Sequence, residues 1–244
     1  MLGFTIYTLC VSALSPQQST MLSFGKAKKE MRKIYKANPV TLYCACKIDR
    51  ADMKTPDLAS CNYKPRKNAK RANRIEWEHV VPAHAFGQAF PEWRKGHPKC
   101  ITKKGKKYKG RKCASKVNKE FKRMEADMHN LFPAVGEVNG DRSNYSMAML
   151  PGEPRRYGKC DVEIHSRKVE PREDIRGEIA RTYFYMNESY PGRGVISKKN
   201  RKLFAAWDKM DPVDAWECKR ARKIQRVQKR PNKFVLNACK AAGF

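Results

Sequence analysis

The stretch Arg74-Ile75-Glu76-Trp77-Glu78-His79-Val80-Val81-Pro82 sets two carboxylates and a histidine in an otherwise apolar run. Residues 75–81 are predicted to form a strand, and charged groups that break an apolar pattern are typical of functional sites. The alternative is an edge strand whose glutamates face solvent. Successive side chains of a strand point to opposite faces. Glu78 and His79 therefore share a site only if the strand ends or distorts there, which Val80-Val81-Pro82 permits.

A second polar cluster lies further along the chain. It consists of Met124-Glu125-Ala126-Asp127-Met128-His129-Asn130-Leu131 and, shortly after, Gly136-Glu137-Val138-Asn139-Gly140-Asp141-Arg142-Ser143-Asn144. Carboxylate and amide oxygens are the ligands that Mg²⁺ prefers, so this cluster is a candidate cation site. The alternative is a polar helix surface followed by a turn.

Apolar residues around the second cluster repeat at helical spacing, namely Val117, Phe121, Met124, Met128 and Leu131. They predict a helix that runs out of a basic loop. Pro133 is expected to end it or to begin a short second helix. Gly140 is expected to stop that second helix.

The rest of the chain is predicted from its periodicity. Ser23 is expected to cap a helix that Asn38-Pro39 ends. Residues 40–48 alternate between apolar and polar side chains, as a half-buried strand does. Three further helices are expected to open at Pro171, after Ser197 and at Pro212. This order predicts an α+β fold of mixed helices with a small antiparallel sheet.

The charge of the chain identifies a class of partner. Its 244 residues include 53 Lys and Arg against 24 Asp and Glu, a formal net charge of +29. Such a surplus favours a polyanion. Nucleic acid, an anionic membrane surface and an acidic polysaccharide all satisfy this requirement, and composition alone does not separate them.

Residues 1–19 are predicted to be a signal peptide, and residues 20–244 a single domain. The apolar run is shorter than the roughly 20 residues that span a bilayer. Val11-Ser12-Ala13 fits a small-residue cleavage site, with Ala13 as one cleavage point. A periplasmic or extracellular destination follows, with no membrane anchor.

Eight cysteines lie beyond the signal, an even number that favours disulfides in an oxidising compartment. Zinc is the weaker alternative, because Cys44-x-Cys46 lacks the two-residue spacer of a zinc knuckle. The favoured pair is Cys100 with Cys113, which would close a basic loop. The eight are Cys44, Cys46, Cys61, Cys100, Cys113, Cys160, Cys218 and Cys239.

That basic loop is part of residues 94–123, which contain fourteen Lys or Arg and one acidic residue, Glu120. Five lysines near Arg111 are expected to contact nucleic-acid phosphates, although a solvated lysine run is the alternative. They are Lys103, Lys104, Lys106, Lys107 and Lys109.

The two polar clusters resemble the endonuclease I family of periplasmic and secreted nucleases, whose active site is a ββα-metal motif. The resemblance runs from about Ser23 to Cys239. It includes the strings quoted above, Ala180-Arg181-Thr182-Tyr183 and Trp216-Glu217-Cys218. It implies a disulfide-stapled nuclease domain.

The resemblance also implies roles for individual residues. Glu78 and Asn139 would bind one Mg²⁺, with water completing its shell, and His79 would be the general base. Arg111 would lie near the scissile phosphate. Glu125 and His129 would support these groups without touching the metal. Unperturbed imidazole titrates near pH 6.5, so a neutral base at physiological pH is reasonable.

The expected activity is Mg²⁺-dependent hydrolysis of phosphodiester bonds without sequence preference, leaving 5′-phosphate and 3′-hydroxyl ends. Double- and single-stranded DNA and RNA are the expected substrates, acted on by a monomer with no stable protein partner. A secreted polyanion-binding protein with an inactive site is the competing hypothesis. A zinc hydrolase is disfavoured because the sequence has no His-Glu-x-x-His pattern.

Overall fold

The computed structural model describes residues 23–152 and 155–244, so the expected signal peptide over residues 1–19 lies outside them. Within these residues the α-helices, α1 to α11, are Phe24–Tyr35, Ala69–Ala72, Ala83–Gly87, Pro91–Arg94, Arg111–Val117, Lys119–Glu125, Gly136–Arg142, Arg176–Ser189, Lys198–Met210, Ala215–Gln228 and Lys233–Ala241. The strands, β1 to β7, are Lys47–Ile48, Pro56–Asp57, Ile75–His79, Leu131–Val135, Ser146–Met147, Val162–His165 and Lys168–Pro171. Short 3-10 turns cover Ala59–Cys61, Met128–Asn130 and Glu173–Ile175.

A ββα unit lies at the centre of the fold. β3 pairs antiparallel with β4, from Ile75 opposite Val135 to His79 opposite Leu131, and α7 starts directly after β4. The predicted strand is therefore confirmed, with its end at His79. The predicted α+β class, with a small antiparallel sheet, is also confirmed.

The two faces of this hairpin pack into different apolar clusters. Trp77 and Leu131 join a cluster built on α1 and α10 with Met31 and Ile224. The opposite face of the hairpin, which carries Phe132, packs into the larger core. Residues of the C-terminal helices complete that core. Because side chains alternate along a strand, Glu78 leaves β3 on the side of Phe132, whereas His79 leaves it on the side of Trp77.

The helix predicted to include Met128 and Leu131 is wrong, because α6 ends at Glu125 and Leu131 begins β4. The buried Asp127 interrupts the helix: its carboxylate accepts hydrogen bonds from the backbone N–H of His129 and from the hydroxyls of Tyr185 and Tyr190. The apolar residues spaced three to four apart therefore do not belong to one helix. They lie in a helix, a turn and a strand that follow one another.

Pro133 neither ends nor begins a helix but lies in the middle of β4. A proline is tolerated in this two-stranded sheet because an edge strand does not need every N–H for its ladder. Its carbonyl accepts a hydrogen bond from the backbone N–H of Leu42 at 2.8 Å. Gly140 does not stop α7 either, since it lies inside that helix.

The strand predicted over residues 40–48 is also wrong except for β1 at its end. The backbone folds back on itself there, since Ala45 has a φ of 54° and its N–H bonds to the carbonyl of Thr41. The alternating apolar residues include Cys44 and Cys46, which are joined to Cys160 and Cys61. Disulfides rather than strand pairing therefore explain their burial.

The other helix predictions differ in accuracy. Ser23 caps α1 and Ser197 caps α9, as predicted. Pro171 instead ends β7, and α8 begins at Arg176 after a 3-10 turn. α10 begins at Ala215, where Asp214 and not Pro212 supplies the cap. The sequence did not predict α11 or the sheet β5-β7-β6, which contains a parallel pair.

Four disulfides staple the fold, and they use all eight predicted cysteines. Cys100–Cys113 is the predicted pair, and Cys218–Cys239 joins α10 to α11. Of the other two pairs, Cys44–Cys160 links the segment before β1 to a residue 116 positions away, and Cys46–Cys61 closes a local loop of the chain. Among the described helices, none is long and apolar enough to cross a membrane.

Candidate active site

A cleft of about 480 Å³ opens at the end of β3. It brings together four of the predicted site residues, Glu78, His79, Arg111 and Asn139. Because β3 ends at His79, the cleft reaches both faces of the hairpin. Its lining residues are Trp77, Glu78, His79, Pro82, Ala83, His84, Trp93, Arg111, Asn139, Arg142, Ser143 and Asn144.

Two side chains replace the strand ladder where β3 ends. The amide of Asn130 accepts a hydrogen bond from the N–H of Val81 at 2.7 Å and donates one to its carbonyl at 2.9 Å. The guanidinium of Arg142 donates to the carbonyls of His79 and Val80 at 3.0 and 2.6 Å. These contacts produce the strand ending that Glu78 and His79 need in order to share one site.

Glu78 is a buried carboxylate with two polar partners. The Tyr43 hydroxyl donates to its Oε1 at 2.7 Å, and Arg142 Nη1 lies 3.0 Å from the same oxygen. Burial raises the pKa of Glu78, and Arg142 and Tyr43 oppose that rise. Oε2 receives neither of these contacts. Arg142, only 1% exposed, therefore holds both the strand end and the carboxylate.

Asn139 is oriented by Glu76. Its Nδ2 donates to Glu76 Oε2 at 2.7 Å, and Arg71 and Arg74 grip the same carboxylate with contacts of 2.6 to 2.9 Å. Burial raises the pKa of Glu76, but the three donors outweigh it and the pKa lies below its usual value. With Nδ2 committed to Glu76, the amide oxygen Oδ1 of Asn139 is the atom that remains for a cation.

The close packing of α7 against Arg71 explains why position 140 is a glycine. A Cβ at Gly140 would lie 2.0 Å from Arg71 Nη1. Such an atom would displace the guanidinium that grips Glu76, and through Glu76 it would disturb Asn139. Gly140 serves the site by letting these groups approach, and it does not terminate the helix.

His79 is held in one orientation on the other side of the cleft. Its Nε2 lies 2.8 Å from the backbone carbonyl of Glu125. Because a carbonyl only accepts hydrogen bonds, Nε2 carries the proton and Nδ1 is the basic nitrogen. The ring of Phe24 lies 5.0 Å away, centroid to centroid. Burial and, after it, the charge of Arg111 lower the pKa of His79 to about 3, so the ring is neutral at physiological pH.

Arg111 is linked to His79 through Glu125. The guanidinium Nε donates to Glu125 Oε1 at 2.6 Å, and Ser115 donates to the other oxygen at 2.7 Å. The guanidinium also lies over the Phe24 ring, 5.2 Å from its centroid. The side chain is nevertheless 43% exposed, so its terminal nitrogens can meet a ligand in the cleft.

The oxygen atoms that line the cleft are of the type that hard cations take as ligands. Among the described residues, no cluster of three or more His, Cys, Asp or Glu side chains could hold a metal ion. The cleft offers one carboxylate and one amide oxygen, from Glu78 and Asn139. Mg²⁺ is often bound through one or two protein oxygens while it keeps several waters, whereas structural Zn²⁺ needs four nitrogen or sulfur ligands.

His129 lies elsewhere, in a buried network away from the cleft. Its Nε2 contacts the carbonyl of Arg230 at 3.1 Å, and its ring packs on Tyr185 at 4.6 Å. These contacts join the 3-10 turn Met128–Asn130 to α8 and to the segment after α10. The structure therefore places Glu125 beside His79 and Arg111 but does not place His129 there.

The five lysines lie on an exposed hairpin loop next to the cleft. Thr102 and Lys106 close its turn by backbone hydrogen bonding, and Ile101 bridges to Lys107. None of the five lysines forms an ion pair within the described part of the chain. Their charges are thus available to a ligand, as a phosphate contact requires.

Sequence reasoning did not assign roles to Glu76, Arg142, Tyr43 and Phe24. Two of these carried a signal: Glu76 alternates with Glu78 and so shares its face, and Arg142 follows Asn139 by three residues on one helix. Tyr43 and Phe24 are brought to the site only by tertiary packing, and no local pattern identifies them.

Comparison with known proteins gives the family. Residues 20–239 match the family model described as Endonuclease I. The chain belongs to the endonuclease I family. Members of this family are nucleases, which agrees with the basic cleft and with the ββα unit.

Three relatives within the endonuclease I family are similar over nearly the whole chain. An extracellular deoxyribonuclease of Aeromonas hydrophila is 46% identical, covering 98% of each chain. A periplasmic deoxyribonuclease of the same organism is 44% identical, covering 95% of this chain and 92% of its own. Endonuclease-1 of Buchnera aphidicola is 44% identical, covering 91% and 84%.

Proposed function

We propose that this protein is a secreted, metal-dependent endonuclease that hydrolyses the phosphodiester bonds of DNA and RNA without sequence preference. The observation that carries the proposal is that one cleft holds His79, whose Nε2 bonds to the carbonyl of Glu125, with the oxygens of Glu78 and Asn139 and the guanidinium of Arg111. These are a base, two hard ligands and an electrostatic partner for a phosphate, the parts that phosphodiester hydrolysis needs.

Glu78 and Asn139 would hold one Mg²⁺. When bound, that ion supplies Lewis-acid stabilisation of charge on the phosphate and on the departing 3′ oxygen. The cation would also favour the ionised form of Glu78, opposing the effect of burial. Glu76 and Arg142 would keep the two ligand oxygens in place.

His79 would act as the general base. Its Nδ1 would take the proton of an attacking water, while the bond from Nε2 to the carbonyl of Glu125 would keep the ring in the correct tautomer and orientation. Attack on phosphorus with departure of the 3′ oxygen leaves a 5′-phosphate and a 3′-hydroxyl. The low pKa of His79 means that the free enzyme has its base unprotonated at neutral pH.

Arg111 would bind the scissile phosphate and stabilise charge that develops on its oxygens. Glu125 restrains one nitrogen of this guanidinium, so less side-chain freedom is lost when the substrate binds. Lysines of the loop would contact flanking phosphates. Such contacts give affinity but read no bases, which supports action on double- and single-stranded DNA and on RNA.

The names of the relatives and the disulfides support secretion. Two of the relatives are named extracellular and periplasmic deoxyribonucleases, and four disulfides fit an oxidising compartment. We infer that this chain works in the periplasm or outside the cell, as a monomer.

A plasmid-nicking assay tests the proposal. We expect supercoiled plasmid to be converted to open-circular and linear forms with Mg²⁺, EDTA to stop the reaction, and re-addition of Mg²⁺ to restore it. Ends that a ligase seals directly would carry 5′-phosphates. A protein that retards DNA on a gel but never nicks it with any divalent ion would be the polyanion-binding protein of the competing hypothesis.

A further inference from the structure

A second groove lies beside the candidate active site. It has a volume of about 550 Å³ and lies between two adjacent segments of the chain, residues 95–101 and residues 107–109. The N–H of Tyr108 bonds to the carbonyl of Cys100 at 2.9 Å. The groove is lined by Lys95, Gly96, His97, Pro98, Ile101, Lys107, Tyr108 and Lys109.

The segments that line the groove lead directly into segments that line the active-site cleft. Trp93 and Arg111 line the cleft, and their neighbours two residues along, Lys95 and Lys109, line the groove. The N–H of Gly110 bonds to the carbonyl of Trp93 at 2.9 Å, which holds the two segments together between the residues that line the cleft and those that line the groove. Lys109 is thus the groove lysine nearest in sequence to Arg111, the proposed phosphate ligand.

The groove combines an apolar surface with a cationic rim. Pro98, Ile101 and Tyr108 supply the apolar part, and Ile101 is 43% exposed. Lys95, Lys107 and Lys109 surround them, and these lysines form no ion pair among the described residues. A ligand that fits has both a flat apolar part and negative charges.

A disulfide and a backbone bridge hold the walls of the groove. The disulfide Cys100–Cys113 ties its wall to α5, and the bridge between Ile101 and Lys107 closes the loop. Lys116 Nζ lies 5.9 Å from the centroid of the Tyr108 ring. The backbone that carries the aromatic ring is therefore held in place by covalent and hydrogen-bonded contacts.

We propose that this groove binds an unpaired nucleotide of the substrate strand next to the scissile phosphate, with its base against Tyr108 and its phosphates on Lys107 and Lys109. The inference rests on the proposed nuclease function and names a substrate class for it. A base within a duplex reaches Tyr108 only by leaving its stack, which costs energy. Stacking on an aromatic ring is tolerant of sequence, because every base has a π-face. The groove thus favours single-stranded or locally opened substrate without specifying its sequence.

Steady-state kinetics of Tyr108→Ala test this subsite on three substrates: a single-stranded oligonucleotide, a duplex of the same sequence, and bis(p-nitrophenyl) phosphate, which is too small to reach the groove. We expect KM for the single strand to rise about tenfold at unchanged kcat. The duplex should change by less, and the small substrate should not change. Tyr108→Phe keeps the ring and should restore the wild-type KM. Met210→Ala, which removes a 71% exposed apolar side chain from α9, is the matched control.

The outcomes separate this proposal from the nuclease function. An unchanged single-strand KM, or equal rises for single strand and duplex, would overturn the nucleotide subsite while leaving the nuclease intact. If the wild-type protein cleaves none of the three substrates, the proposed nuclease function itself is wrong. If Tyr108→Ala fails to fold, Ile101→Asp places a negative charge in the groove and should raise the single-strand KM in the same way.

Discussion

His79 and Glu125 are joined by a hydrogen bond of 2.8 Å between the ring Nε2 and the backbone carbonyl. The side chain of the same Glu125 grips Arg111 at 2.6 Å. One residue at the end of α6 therefore orients both the proposed base and the proposed phosphate ligand, through two different groups.

Removing the base should abolish catalysis and leave binding intact. For His79→Ala we expect a loss of kcat of about 10²- to 10⁴-fold, the usual contribution of a general base. Affinity for duplex DNA, measured by fluorescence anisotropy in EDTA, should change little because the basic surface remains. If the variant nicks DNA at close to the wild-type rate, a residue other than His79 is the general base.

Loosening Asn139 should weaken metal binding. Oε1 of Glu76 accepts from Arg71 and Arg74, and Oε2 accepts from Arg71 and Asn139. Glu76→Gln replaces one of these oxygens with an amide NH₂, so at least one donor loses its acceptor. We expect the Mg²⁺ concentration for half-maximal activity to rise about 10- to 100-fold. Glu188→Gln, in a surface pair with Lys233, is the control. Identical Mg²⁺ curves for the variant and the wild type would show that Glu76 does not orient a ligand.

The lysines of the loop and Arg111 should affect different kinetic constants, KM and kcat. Replacing Lys103, Lys104, Lys106, Lys107 and Lys109 together with Gln should raise KM. It should also flatten the salt dependence of KM, by about 0.9 in log–log slope for each phosphate that a lysine no longer neutralises. Arg111→Ala should instead lower kcat, because its charge acts on the transition state. A salt slope equal to that of the wild type would mean that the lysines are only a solvated surface.

The disulfide next to Arg111 should matter for catalysis as well as for stability. Replacing Cys100 and Cys113 with Ser should cost about 2–4 kcal/mol of unfolding free energy and should lower kcat, since Cys113 lies on α5 two residues after Arg111. The matched control is the Cys218–Cys239 pair in the C-terminal helices, whose removal should lower the Tm at nearly constant kcat. Equal kcat values for the two variants would contradict a local role for the first disulfide.

The buried His129 should make the protein less stable in acid. Burial lowers the pKa of His129 to about 4, whereas the unfolded chain titrates near 6.5. Between these values the unfolded state binds more protons. Stability is therefore fully present above pH 6.5 and is lost as pH falls towards 4, by about 1.4 kcal/mol per pH unit.

Urea unfolding of the wild type and His129→Gln, at about pH 7 and about pH 5, measures this effect. The variant keeps a donor for the carbonyl of Arg230 but cannot titrate, so its stability should fall less between the two pH values. His79 contributes equally to both proteins and cancels. Parallel losses would show that His129 does not titrate on unfolding.

The features that could be predicted from the sequence alone depend on neighbouring residues and on side-chain chemistry. Ser23 and Ser197 predicted helix starts because an N-cap is a local hydrogen bond. The apolar run before Pro82 predicted β3, and the charges within it marked the site. The resemblance brought Glu78, His79, Arg111 and Asn139 together, and the structure places all four in one cleft.

How those residues are held depends on contacts that form only in the folded protein. β4 was hidden because its apolar residues continued a helical spacing, and Asp127 breaks that helix through bonds to residues more than fifty positions away. Tyr43, Arg142 and the carbonyl of Glu125 reach the site from distant parts of the chain. Their effect is on burial, orientation and pKa. These quantities depend on the atoms that surround a group in space, and no periodicity along a sequence encodes them.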